Sequence, residues 1–147
     1  MQINCLHSRF GEVRLVDQQT NLESLRAVSW KDFECLMAEA YRRQGCQVDY
    51  SFGRGADDGV DLVLRKSGRT SLVQCKQWKV FSIGVSVTRE MFGIMTAEKA
   101  DEAIIVTSGQ FTPDAEAFAR GKPIQLINGP LELVRAVQSK SGPLGQI

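Results

Sequence analysis

Gly59-Val60-Asp61-Leu62-Val63-Leu64-Arg65-Lys66-Ser67-Gly68-Arg69-Thr70-Ser71-Leu72-Val73-Gln74-Cys75-Lys76-Gln77 is the stretch whose reading decides the fold. Two β-rich runs, residues 60–65 and 70–77, flank Lys66-Ser67-Gly68-Arg69, a tight-turn sequence, so the segment reads as an antiparallel hairpin. With Ser67 and Gly68 as the loop, Lys66 faces Arg69, and counting back along both arms sets Asp61 opposite Gln74. Cross-strand partners share a face, with Cβ atoms about 5 Å apart. Lys76, two residues past Gln74, falls on that same face. A carboxylate, an amide and an ammonium therefore converge on one patch. A slip of one residue would scatter them, so the inference depends on the turn.

Upstream of the hairpin, Ser29 has the form of an N-cap, with Asp32 in the first turn where the helix dipole favours negative charge. Trp30, Phe33, Met37, Ala40 and Tyr41 follow at three- and four-residue spacing, the pattern of an amphipathic helix that Gly45 ends. Residues 46–52 alternate as a strand, and 53–59 form a loop with three glycines and two aspartates. Downstream, residues 86–99 read as a helix containing Gly93, and 103–107 as a buried strand. Thr112 and Pro113 open a third helix closed by Gly121, followed by a strand at 124–127 and a helix at 131–138. Residues 1–28 show weak periodicity, with at most a short strand at 12–16, and 139–147 read as a flexible tail. The order predicts an α/β domain over residues 29–138: a meander continuing into right-handed crossovers, with a mixed sheet of about five strands and helices on both faces.

At 147 residues the chain is long enough for one compact domain. Its 43% hydrophobic and 24% charged residues are ordinary for a globular protein. No apolar run approaches the ~18 residues of a membrane span, and the first ten residues lack a secretory layout. Cys5, Cys35, Cys46 and Cys75 lack Cys-x-x-Cys spacing, which argues against a zinc knuckle or a disulfide framework and fits a reducing cytoplasm. Net charge is only +1, yet no Asp or Glu lies between Leu62 and Arg89, where Arg65, Lys66, Arg69, Lys76, Lys79 and Arg89 all fall. Such a run is either a phosphate-neutralising face or a solvated basic hairpin, and the sequence weighs the two about evenly.

Asp61 and Lys76 each stand in an apolar strand, where a charge is unfavourable unless used. A structural ion pair between them is the plain account. The chemical one is a hard cation such as Mg²⁺, bound through oxygen by Asp61 and the Gln74 amide, with Lys76 positioning the attacking water. Glu34 lies on or beside the apolar stripe of the first helix and could orient metal-bound water. Taken alone, a glutamate there is better read as sitting at the stripe's edge and reaching solvent. Asp57 reads as turn chemistry. Thr107 and Ser108 either line a cleft or cap a helix.

Gly59-Val60-Asp61-Leu62-Val63-Leu64 followed by Leu72-Val73-Gln74-Cys75-Lys76-Gln77-Trp78 resembles the catalytic domain of Mrr-like (type IV) restriction endonucleases. The likeness extends to Trp30-Lys31-Asp32-Phe33-Glu34 and Gln44-Gly45, to Arg89-Glu90 with Gly93, and to Val106-Thr107-Ser108-Gly109 with Phe111-Thr112. It takes in Leu126-Ile127-Asn128-Gly129 as well, and so covers roughly residues 29–138. It implies a PD-(D/E)XK fold and divalent-metal cleavage of DNA, with Asp61, Gln74, Lys76 and Glu34 as catalytic positions. Asp61, Gln74 and Glu34 would hold Mg²⁺, for which Mn²⁺ can substitute. Gln74 stands where the wider superfamily has an acid, which is the Mrr-like pattern and implies weak metal affinity. Asp58 stands where the family often has glycine. Given such a site, Arg54, Gln77 and Lys79 are placed to touch phosphate, although surface basic residues are usually just solvated; cleavage of both strands implies a homodimer or higher assembly, with target selection by a separate recognition domain or a partner. A non-cleaving DNA-binding or interaction module of the same fold, and a structure-selective nuclease such as a junction resolvase, are the alternatives.

Overall fold

Ser67 and Gly68 both take positive φ, 54° and 79°, as a two-residue type I′ hairpin loop requires. In the computed structural model, which describes residues 30–50, 59–76, 82–107 and 109–128, they close the register inferred above. Lys66 pairs Arg69, and the ladder continues to Leu62 opposite Val73. The elements in chain order are α1 (Trp30–Arg43), β1 (Gln47–Tyr50), β2 (Leu62–Lys66), β3 (Arg69–Cys75), β4 (Ser82–Ile83) and α2 (Val85–Glu98), then β5 (Glu102–Val106), β6 (Gln110–Phe111), α3 (Pro113–Ala119) and β7 (Ile124–Ile127). The chain divides into two compact units, with α1 in one and Val48–Gly129 forming the other.

The five-stranded sheet has the order β1-β2-β3-β5-β7. β2 and β3 are antiparallel, while β3 with β5 and β5 with β7 are parallel, so the sheet is mixed as expected. On one face Val63, Leu72, Ala103 and Ile105 pack with Met91 and Met95 of α2 and Ala115 of α3. Residues of the other face, Leu62, Val73, Cys75, Ile104 and Val106, are buried too. This is the pattern of strands covered on both sides and explains why 103–106 carries an unbroken apolar run.

The helix ends follow local chemistry. Thr112 Oγ1 accepts the Ala115 N–H at 3.1 Å, and Pro113 occupies the first turn of α3. Lys99, at φ 59°, closes α2 in the left-handed conformation, its N–H reaching the Met95 and Thr96 carbonyls.

Three expectations need correction. First, α1 has the expected amphipathic pattern but no exposed side along its middle: every residue from Phe33 to Tyr41 is buried, Glu34 and Glu39 included. Small and polar residues at the intervening positions disguised a helix enclosed on all sides. Second, β4 and β6 form a separate two-stranded parallel sheet that escaped notice, because two-residue strands have no periodicity to read. Third, Cys35 is disulfide-bonded, so missing Cys-x-x-Cys spacing did not exclude a bridge. The described residues of the basic run are spread along the hairpin. Arg65, Lys66 and Arg69 sit at the hairpin loop, while Lys76 lies at the other end of β3, about 20 Å away at ~3.3 Å per residue. Arg65 is moreover paired with Asp49 at 2.6 Å. The arm at 1–28, the helix at 131–138 and the tail at 139–147 lie outside the described residues. No helix among the described residues is long and apolar enough to cross a membrane.

Candidate active site

The ladder between β2 and β3 breaks at Asp61. Its N–H donates to the Val73 carbonyl at 2.8 Å, one residue out of step with the pairing of Leu62 and Val73. Had the register continued, the Cys75 N–H would have reached the backbone of Val60; instead it donates to Asp61 Oδ2 at 2.7 Å. The carboxylate thus replaces a backbone acceptor at the strand end, a reason for aspartate here that is independent of catalysis. Asp61 remains half-buried.

Gln74 shares a sheet face with Leu72 and pairs in register with Ile105, on the side covered by α2 and α3. Its side chain is buried, and its Oε1 has no hydrogen-bond partner among the described residues. A buried amide oxygen without a donor costs roughly 1–3 kcal/mol, and native structures rarely carry one without a reason. An amide oxygen of this kind is one of the groups a hard cation coordinates. Among the described residues no three His, Cys, Asp or Glu side chains come together as a metal cluster. A hard cation such as Mg²⁺ is commonly held by one or two protein oxygens, with water and phosphate completing the shell.

Lys76 follows at the end of β3, half-buried, its N–H donating to the Val106 carbonyl at 2.8 Å. Its ammonium makes no ion pair among the described residues, so the structural Asp61–Lys76 pair is not found. Asp61, Gln74 and Lys76 lie at the carboxyl end of β3, beside that of parallel β5, where open α/β sheets bind ligands. The fully buried Thr107 extends the ladder there, its N–H reaching the Ile127 carbonyl at 2.9 Å. Its Oγ1 accepts the Gly109 N–H at 3.0 Å, so it caps its own turn and no helix; α3 is capped by Thr112.

Glu34 belongs to α1 in the other unit and is only 6% exposed, so the reading in which it reaches solvent from the stripe's edge is wrong. Glu39, which the sequence did not single out, is more buried still and binds Arg43 at 2.9 Å; the four-residue spacing was the available signal. Gly59 was also passed over as loop chemistry, though it abuts the Gln74 amide. Arg54, Gln77, Lys79, Asp57, Asp58 and Ser108 lie outside the described residues.

A family model described as Mrr_cat, restriction endonuclease, matches residues 25–137. The fold is similar to that of the DNA modification-dependent restriction endonuclease AspBHI, at TM-score 0.60 and 14% identity, over 92% of this chain and 37% of that one. A repair endonuclease from Pyrococcus abyssi gives 0.55 at 15% identity over 68% and 46%. The MspJI restriction endonuclease, in complex with a 27-mer oligonucleotide, gives 0.50 at 17% identity over 93% and 32%. This chain thus spans a third to a half of the length of these three structures. No curated protein matches.

Proposed function

Because the chain belongs to the Mrr_cat restriction endonuclease family, we propose that it is the nuclease module of a divalent-metal-dependent DNA endonuclease, hydrolysing phosphodiester bonds with Asp61, Gln74 and Lys76. The observation that carries this reading is the buried Gln74 Oε1, without a donor among the described residues, at the strand end where the Asp61 carboxylate replaces a backbone acceptor. A bound divalent cation would supply neutralisation of phosphate charge and an acidified water. Asp61, braced by the Cys75 N–H, provides the charged ligand oxygen, and Gln74 provides a neutral one. Lys76 holds its ammonium at the same end of the sheet, where it can orient the attacking water and stabilise charge gathering on the phosphate. Glu34 joins this set on the family resemblance, and Glu34→Gln tests it separately. Mg²⁺ is the proposed ion, Mn²⁺ its substitute, and double-strand cleavage by a homodimer the proposed outcome.

Supercoiled-plasmid cleavage in Mg²⁺, Mn²⁺ or EDTA tests the reading, with Asp61→Ala and Lys76→Ala alongside wild type. Metal-dependent nicking abolished by both substitutions is expected. Wild-type protein that shifts DNA in a gel but never cuts it, methylated or not, would replace this reading with a non-cleaving binding module.

A further inference from the structure

Gly59 takes φ 77° and lies against the Gln74 side chain. An ideal Cβ there would stand 2.9 Å from Gln74 Nε2 and 3.8 Å from its Cδ, with Ile94 Cδ1 at 3.6 Å on α2. The first distance is closer than a methyl carbon tolerates, so the amide would have to move; the second and third are ordinary contacts. The space occupied by the amide thus exists because residue 59 has no side chain. The amide seated there is the one whose oxygen is buried without a donor among the described residues.

We infer that Gly59 is a positioning residue: its bare backbone seats the Gln74 amide, and this fixes where Oε1 is presented to a cation. The inference rests on the proposed metal role of Gln74 and adds a residue outside the ligand set. The Gln74 amide is the end of a flexible side chain, so a Cβ at residue 59 displaces it with little disruption of the fold. The positive φ adds a separate backbone penalty for any L-residue, and that penalty does not depend on what occupies position 74. The two effects are therefore separable by experiment.

The test is a double-mutant cycle on the full chain, reading Mn²⁺ affinity by electron paramagnetic resonance and stability by thermal melting in EDTA. Gly59→Ala is expected to weaken Mn²⁺ binding about 10- to 100-fold, the usual loss when a group orienting a ligand is removed. In a Gln74→Ala background the same substitution should change Mn²⁺ affinity less than about twofold, while the fall in melting temperature is equal in both backgrounds. Gly59→Asn carries the same Cβ on a residue that tolerates positive φ better, and keeps the test open if Gly59→Ala folds poorly. Wild-type Mn²⁺ affinity in Gly59→Ala, with affinity lost in Gln74→Ala, would overturn the inference and leave the metal role standing. An undiminished effect of Gly59→Ala in the Gln74→Ala background would overturn it too, since Gly59 would then act without the amide. Unchanged affinity in Gln74→Ala would remove the metal role and the inference together.

Discussion

Asp61→Ala and Asp61→Asn separate the strand-end bond that Asp61 makes from the metal-holding duty proposed for it. Asp61 Oδ2 accepts the Cys75 N–H at 2.7 Å, and Cys75 is fully buried. Alanine leaves that N–H without its acceptor, which costs about 1–3 kcal/mol. Asparagine retains a side-chain oxygen at the same reach but forfeits the charge assistance, a loss of about 1 kcal/mol. In a chain of this size each kcal/mol moves the melting temperature by roughly 2–4 °C. With ~2 kcal/mol for alanine, Asp61→Ala should melt about 4–8 °C below wild type in EDTA, and Asp61→Asn about 2–4 °C below. Both should lose plasmid cleavage, because neither supplies an anionic oxygen. Stability and activity therefore follow different orders: graded for melting, equally absent for cutting. If Asp61→Ala melts with wild type in EDTA, the strand-end bond is not stabilising. If Asp61→Asn cuts at the wild-type rate, the carboxylate is not a ligand that the chemistry needs.

Lys76→Ala should abolish cleavage while shifting stability by no more than about 0.5 kcal/mol, since the side chain is half-exposed and unpaired among the described residues; parallel melting and plasmid assays check this. Gln74→Glu should tighten Mn²⁺ binding about tenfold or more, equivalent to ~1.4 kcal/mol, yet lower the melting temperature in EDTA, because it buries an acid where only a cation can pair it. A melt that is insensitive to Mn²⁺ would refute this. Thr112→Ala should cost about 1 kcal/mol through loss of the Ala115 N–H cap, seen as a melting shift of roughly 2–4 °C with unchanged Mn²⁺ affinity.

The central hairpin was legible because turn chemistry and strand alternation agree. Ser67-Gly68 can close a two-residue loop only one way, and that choice aligns every rung back to Leu62 and Val73. One rung further the sequence could not see that Asp61 leaves the ladder and lends its side chain to Cys75, since alternation describes which way a residue points and not whether its backbone still pairs. α2 and α3 were found to within a residue or two, because Thr112-Pro113 is an explicit start signal and the α2 segment is long. The all-round burial of α1 was not legible: Glu34 and Glu39 look like a polar face, and only their surroundings reveal otherwise. The basic run could not be assigned to one face from sequence, because its members are spaced along β3 from the loop at Arg69 to Lys76.

The charge of the site bears on how metal and DNA would depend on each other. A neutral amide at position 74 leaves Asp61 as the anionic oxygen contributed by the β2–β3 strand end. On the proposed reading, a divalent cation held by Asp61 and Gln74 keeps a net positive charge that water cannot offset and that a further anion, Glu34 or phosphate, must balance. A phosphate arriving at the same point supplies the missing anionic oxygen. Linkage then requires the converse: if DNA raises cation affinity by some factor, the cation raises DNA affinity by that same factor. Replacing the amide with a carboxylate weakens this coupling, because the ion is then satisfied before DNA arrives. On that reading, a glutamine at position 74 would make the chain depend on its substrate to complete the metal site, and a nuclease so built would stay idle until a phosphodiester is in place.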